Sequence, residues 1–466
     1  MQSRRDDFCD FTLHPSDFSL LAIRMNNSPT PANTQASAAA PAGLKIRHLR
    51  WYICAILFFA TTVNYVDRQT LSNLKPHLQV VLHWSESDYG WIVFAFQIAY
   101  AGTMLAAGPI IDRLGTRLGY ALAITWWSIA GMATALARGA LSFGMARFFL
   151  GVGEAGNFPS AIKAVAEWFP KKERALATGI FNAGTNVGAM IAPPVVIGIT
   201  LKWGWQWAFI ITGGLGSLWV VLWSLIYRAP AQHPCITQEE LQYIQAPEPG
   251  ESGTDELKIP WKKIFTYRAA RGFILGKFMT DPIWWFYIFW FPSYLNQVRG
   301  LSLEKLAYSA WIPFLVADVG SVAGGWLSGH WIKRGWTVSR ARKVTMLIFA
   351  LLMPVGLLIN IAPNAWVAMA FISTAMAAHQ GWSANIFTLA SDMFPKKDVG
   401  SVVGLGGAAG AVGGMIIAPL AGYILQWFHT YVPLFIIAGV MHPLAIIVIH
   451  RMIPKIQPVV RGELAH

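Results

Sequence analysis

Twelve apolar runs, each long enough to cross ~30 Å of hydrocarbon as a helix of about 20 residues, divide this 466-residue chain six and six. They fall near 51–70, 89–111, 118–138, 141–161, 175–199 and 206–228, and then near 271–296, 307–329, 344–362, 364–388, 399–425 and 432–450. Between the two sets lies 229–268, rich in Pro, Glu, Gln and Lys, which reads as a solvated connection. With 55% hydrophobic and 13% charged residues, 22 Trp and 27 Phe, the chain carries more apolar surface than a soluble domain needs.

The halves are related. Residues 167–194, EWFPKKERALATGIFNAGTNVGAMIAPP, recur at 392–419 as DMFPKKDVGSVVGLGGAAGAVGGMIIAP, with F-P-K-K, several glycines, Met-Ile and the final proline in register. A basic turn opening an apolar, Gly-rich, Pro-containing helix, present once per half, points to a transporter built from structural repeats.

The formal charge of +13 does not form a patch interleaved with aromatics, as a nucleic-acid surface would. Cations gather in alternate connections: Arg113 with Arg117, Lys171, Lys172 and Arg174, Lys262, Lys263, Arg268 and Arg271, Lys333 to Lys343, and Lys396 with Lys397. The positive-inside rule places those connections and both termini in the cytoplasm. The connections of the other parity hold fewer cations, Lys75, Arg138, Lys202, Arg299 and Lys305. Cys9, Cys54 and Cys235 have no metal or disulfide spacing, so neither a metal site nor a cofactor is expected. The tail through residue 46 runs into SPTPANTQASAAAPAG, which cannot bury a core, and Met25 is an alternative start. The expected divisions are a tail at 1–46, bundles at 47–228 and 269–452, the connection at 229–268 and a tail at 453–466.

Chemistry must come from polar residues inside the spans, because each ionisable group at a helix centre costs about 2.5–3.5 kcal/mol. Asp67 and Arg68 close the first run in NYVDRQ, and Arg147 and Glu154 lie nearly two turns apart on one face of the fourth. Two cations facing two carboxyls form a plausible anion site coupled to protonation; salt bridges that tie helices together are the other reading.

These residues bring a family into view. The chain resembles the major facilitator superfamily over about 47–452, and within it the anion:cation symporters that carry hexuronates and other sugar acids. The superfamily motif G-x-x-x-D-R-x-G-x-R is present at Gly108, Asp112, Arg113, Gly115 and Arg117. Asp112 there can act as a charge latch, pairing with a facing cation to hold the halves together. N-Y-x-D-R at 64–68, R-x-x-x-G-x-x-E at 147–154, E-W-F-P-x-x-E-R at 167–174 and G-A-M-I-A-P-P at 188–194 carry the narrower likeness. The resemblance implies an all-α membrane protein with twelve helices in two pseudo-symmetric six-helix bundles. It also implies that Arg68 and Arg147 bind a substrate carboxylate while Asp67 and Glu154 take up protons. The chain departs from its relatives at GLGGAAGAVGGMI, which carries no amide, and at Gly325, Gly329 and His330, where the second latch lacks its Asp.

The repeat offset maps Glu154 onto His379, so a second-half imidazole, with Gln380 beside it, is expected at the cavity. Lys277 and Asp281 either line that cavity or pair with each other at i,i+4. Tyr65 and Tyr100 offer hydroxyls to a carboxylate or sugar, Asn182 with Thr185 and Asn186 lies near one face of the fifth run, and Gly179, Gly184 and Gly188 permit close packing. No phosphate cradle occurs, so an ion gradient should drive transport. The expectation is a monomeric, proton-coupled symporter of a small organic monoanion in a bacterial inner membrane. An organophosphate-type exchanger using Arg68 with Lys277, and a membrane-embedded enzyme, are the alternatives.

Overall fold

A computed structural model describes residues 45–245, 261–394 and 396–459, and not the side chains of Lys171, Lys172, Ala175, Trp261, Lys262, Lys396, Lys397 and Gly400. Cys9, Met25 and the rest of 1–44 of the expected disordered tail, the middle of the central connection and the end of the C-terminal tail therefore lie outside the described residues.

The first half comprises α1 (Leu49–Leu82), α2 (Glu86–Leu114), α3 (Thr116–Ala133), α4 (Ala140–Glu154), α5 (Asn157–Trp168), α6 (Lys171–Trp203) and α7 (Trp205–Ile226). The connection carries α8 (Gln238–Gln245) and α9 (Trp261–Ile264). The second half comprises α10 (Arg268–Ser293), α11 (Leu303–Ser309), α12 (Ile312–Lys333), α13 (Val338–Leu352), α14 (Ala365–Met393), α15 (Lys396–Phe428) and α16 (Val432–Met452). Each expected span falls in helix. Among the described residues, eight segments are long and apolar enough to cross a membrane: Leu49–Leu82, Glu86–Leu114, Leu176–Trp203, Trp205–Ile226, Leu303–Lys333, Val338–Ile359, Ser401–Phe428 and Val432–Met452. The other four are short, broken or polar inside: α3 carries Arg117 in its first turn, α4 ends at Glu154, α10 carries Lys277 and Asp281, and α14 carries His379 and Gln380.

The repeat is visible in packing. Gly188 of α6 sits against the Thr62 carbonyl of α1, and its counterpart Gly413 of α15 sits against the Phe278 carbonyl of α10. Gly184 packs on α1 likewise, whereas nothing approaches Gly179 within 4 Å of where a Cβ would stand. A missing side chain lets two backbones touch, the usual means of helix association where apolar surface gives no drive of its own.

Several hydrogen bonds join the halves at one end of the bundle, here the distal end, where α1 finishes and α2 begins. Tyr89 donates to the Phe289 carbonyl at 2.9 Å, Trp91 Nε1 to the Tyr423 hydroxyl at 3.1 Å, Gln297 to Gln79 at 2.6 Å and the Glu86 amide to Gln426 at 3.2 Å. Gly90 and Gly422 let α2 and α15 touch there: a Cβ on Gly90 would stand 2.8 Å from the Ala418 carbonyl. At the opposite, proximal end, Gly102 and Gly108 of α2 and Gly404 and Gly407 of α15 face nothing within 4 Å.

Two sequence expectations change. Lys75, assigned to a connection between spans, is fully buried because α1 continues to Leu82; its Nζ meets Glu86 at 2.7 Å and lies 4.7 Å from the Tyr89 ring centroid. The central connection is not solvated throughout. Ile46 and Ile236 form an isolated parallel bridge, and buried Glu240 of α8 accepts from the Leu49 and Arg50 amides and from the Arg50 guanidinium. That carboxylate serves amides at the start of α1 that have no acceptor within the helix.

Candidate functional site

Asp67 and Arg68 lie in the middle of α1, not at its end, since the helix runs on through Pro76. On the facing element, α4 packs tightly because Gly151 admits the Phe96 carbonyl of α2 and Gly153 admits the Trp127 backbone of α3. It stops at Glu154, followed by the short break at Ala155 and Gly156 before α5. Glu154 is thereby presented, fully buried, to α1.

Arg68 donates from Nε at 2.9 Å and from Nη2 at 2.7 Å to the same Glu154 oxygen, Oε2. Aromatic rings enclose the guanidinium, whose carbon lies 4.7 Å from the Tyr65 centroid, 4.8 Å from Tyr100, 5.2 Å from Phe96 and 5.7 Å from Trp285 of the second half. Each ring face attracts the cation, and together they replace its hydration. Arg147 donates to the Asp67 backbone carbonyl at 3.2 Å and stacks on Phe209 at 5.2 Å. Both Asp67 carboxyl oxygens, Glu154 Oε1, Arg147 Nε and both amide atoms of Asn64 are buried without a hydrogen-bond partner among the described residues. Such groups are costly to leave unmet, about 1–3 kcal/mol each and more when charged. This cluster has polar capacity to spare at the point where a ligand would enter.

The space between the arginines is small. A cavity of about 10 Å³ lined by Arg68, Leu71, Ile92, Phe96, Arg147 and Phe289 has room for about one water molecule. Phe289 comes from the second half, so this volume depends on how closely the halves approach.

In the second half, His379 Nδ1 lies 3.1 Å from His442 Nε2, and its ring stacks on Trp284 with centroids 5.3 Å apart. Lys277 Nζ meets Asp281 at 2.8 Å and the Phe387 ring at 3.8 Å. Gln380 is half-buried and Asn182 exposed, and neither forms a side-chain hydrogen bond among the described residues. Asn186 of α6 donates to Asp318 of α12, joining the halves near mid-span. The latch residues separate: Asp112 pairs with Lys163 of α5 at 2.9 Å, inside its own half, and Arg117 donates to the Ser224 carbonyl at 2.6 Å. Arg113 is exposed, and Gly115 takes φ 78°, the left-handed turn between α2 and α3.

Sequence reasoning did not single out Asn64, Asp318 or His442. The signal existed for the last two, since an ionisable side chain inside an apolar run is a site hypothesis by default. Asn64 carries no charge and sits one residue before a tyrosine already noted.

A profile described as Major Facilitator Superfamily matches residues 57–341 and 335–464. A hexuronate transporter of Escherichia coli (strain K12) is 34% identical over 409 residues, covering 87% of this chain and 94% of that protein. A galacturonate transporter of Dickeya chrysanthemi is 34% identical over 336 residues, covering 71% and 96% respectively. Among solved structures, a D-xylose-proton symporter superposes with a TM-score of 0.70 at 16% identity, covering 87% of this chain and 98% of that one. A bacterial homologue of the human lysosomal transporter Spinster, in an inward-facing and occupied conformation, gives 0.67 at 18% identity, covering 87% and 96%. At such identities these two structures bear on the fold alone.

Proposed function

The chain belongs to the Major Facilitator Superfamily, a multi-pass membrane transporter and not an enzyme, and from that premise we propose that it carries a hexuronate or related sugar-acid monoanion together with protons. The observation that carries this reading is the double hydrogen bond from Arg68 to one oxygen of Glu154, walled by aromatics and placed beside Arg147. Relatives named for hexuronate, galacturonate and D-galactonate transport support the substrate class.

Coupling follows from competition for one guanidinium. While Glu154 is ionised it occupies Arg68, and an incoming carboxylate adds a second negative charge in a poorly hydrated site. A proton on Glu154 removes that repulsion and weakens the internal pair, leaving Arg68 to take the substrate through charge-assisted hydrogen bonds. Arg147 contributes a second cation, and Asp67, whose buried carboxyl oxygens make no hydrogen bond among the described residues, carries a second proton. Protonated carboxyls and an arginine-neutralising anion both lower the cost of enclosing the site, so the two ligands favour the same closed state. Tyr65 and Tyr100 present hydroxyl-bearing rings to the substrate, and His379 with Trp284 supplies a second-half wall for the sugar ring.

The hydrogen bonds that join the halves distally support alternating access, with the proximal end and both termini in the cytoplasm of a bacterial inner membrane. The cavity of about 10 Å³ must widen as the halves rock. An organophosphate exchanger using Lys277 as its second clamp is less well supported, because Asp281 already holds that ammonium. Uptake of labelled glucuronate by proteoliposomes, competed by a panel of organic acids and phosphate esters at several pH gradients, tests the reading. Accumulation that ignores the proton gradient, or competition by phosphate esters alone, would reject it.

A further inference from the structure

A cavity of about 990 Å³ lies away from the arginines, on the outside of the second half between the start of α13 and the end of α16. Its walls divide by chemistry along the membrane normal. Val344, Leu347, Ile446 and Ile447 form an apolar slot, continuous with the exposed apolar face of α13 and α16 at Ile348, Leu351 and Leu444. The proximal rim carries Arg340, Lys343, His450, Arg451 and Lys455, and none of the described lining residues is a carboxylate. The segment after α16 floors the groove: Lys343 Nζ donates to the Ile453 and Pro454 carbonyls, and the Ile456 amide donates to Ser339 Oγ at 3.1 Å. Lys343 is thus engaged in structure, while Arg340, Arg451 and Lys455 are exposed.

An apolar slot open to the acyl region and capped by several cations matches one kind of molecule, a two-tailed amphiphile with an anionic head. Charge complementarity selects it from the other molecules of a bilayer, since a zwitterionic head would bring its own cation against this rim. We propose that the groove binds an anionic phospholipid of the surrounding leaflet, with its phosphate held by Arg340, Arg451 and Lys455 and its acyl chains along Val344, Leu347 and Ile447. The α13 N-terminus, whose macrodipole favours negative charge, points toward the same rim. Because the bound lipid spans the start of α13 and the end of α16, it ties the second half to one leaflet.

Native mass spectrometry of the full-length protein, titrated in neutral detergent with phosphatidylglycerol or phosphatidylcholine, tests this. One phosphatidylglycerol is expected to be retained in preference to phosphatidylcholine. The Arg451→Gln, Lys455→Gln double variant should lower its retention about 30-fold, from two cations lost near a phosphate. Leu347→Trp, which fills the slot and keeps every charge, should lower it as well, so a folding defect in the charge variant does not decide the outcome. Equal retention of the two lipids, unchanged retention in both variants, or displacement of the lipid by millimolar inorganic phosphate would each overturn the proposal.

Discussion

Arg68 and Glu154 meet at a single atom: Nε and Nη2 both donate to Oε2, at 2.9 and 2.7 Å, while Oε1 has no partner among the described residues. A guanidinium has five N–H donors, so this pair leaves donors unused on one side and acceptor capacity unused on the other. The arrangement is strong enough to hold α1 against α4, and incomplete enough for a carboxylate and a proton to rearrange it.

Removing either arginine tests the binding role. Arg68→Ala and Arg147→Ala should each weaken substrate affinity by roughly 1.5–3 kcal/mol, about 10- to 150-fold, the loss of a hydrogen bond to a charged partner. Arg68→Lys should recover only part of this, because an ammonium keeps the charge but lacks the planar fork. Equilibrium binding of a labelled sugar acid to purified protein measures it, and wild-type affinity in both Ala variants rejects the assignment.

Replacing Glu154 separates coupling from binding. Glu154→Gln mimics the protonated acid, so substrate exchange across proteoliposomes should persist while accumulation driven by a proton gradient is lost. With Asp67 carrying a second proton, wild-type transport moves one net positive charge, worth about 2.3 kcal/mol per 100 mV. Uptake under an imposed potassium-diffusion potential at equal pH should therefore respond to voltage. The absence of a voltage response would leave a single proton per monoanion.

The distal contact should set which way the transporter opens. A side chain on Gly90 collides with the Ala418 carbonyl and with Pro419 Cα, 2.8 and 3.2 Å from an added Cβ. Overpacking of this kind costs about 1–3 kcal/mol, enough to shift a two-state balance roughly 5- to 150-fold. Gly90→Leu should thus favour the distally open state. Spin labels at the exposed positions Val81 and Trp427 should report longer distances by double electron–electron resonance, and an unchanged distribution would exclude this contact as the gate.

Acidification should loosen the central connection. His233 accepts from the Cys235 amide at Nδ1, at 3.1 Å, and its Nε2 lies 3.0 Å from the Ile226 carbonyl, which fits the neutral imidazole donating from Nε2. Burial holds its pKa below the usual histidine value, and the nearby charges of Arg228 and Lys45 push the same way. A base depressed in the folded state stabilises above its unfolded pKa, and that contribution is lost as pH falls toward the folded value. Hydrogen exchange over residues 233–245, corrected for intrinsic rates, should show protection falling from pH 8 to pH 5.5. His233→Phe should flatten that dependence; an equal slope in the variant would place the effect elsewhere.

Much of this molecule was legible in one dimension. The cost of placing a polar backbone or a charge in hydrocarbon is paid residue by residue, so the apolar runs, the two related halves and the unusual status of Arg68, Arg147, Asp67 and Glu154 could be read directly from the chain. Partners could not. Arg147 reaches the Asp67 carbonyl and not its carboxylate, Asp112 turns to Lys163 within its own half, His379 finds His442, and Asn186 finds Asp318 across the halves. Each pairing depends on how far a helix is rotated and how closely it crosses its neighbour, and those are set by where glycines such as Gly151, Gly188 and Gly90 let backbones touch. Rotation and crossing arise only when all the helices pack at once, so the tertiary structure alone decided which of the buried charges became a pair.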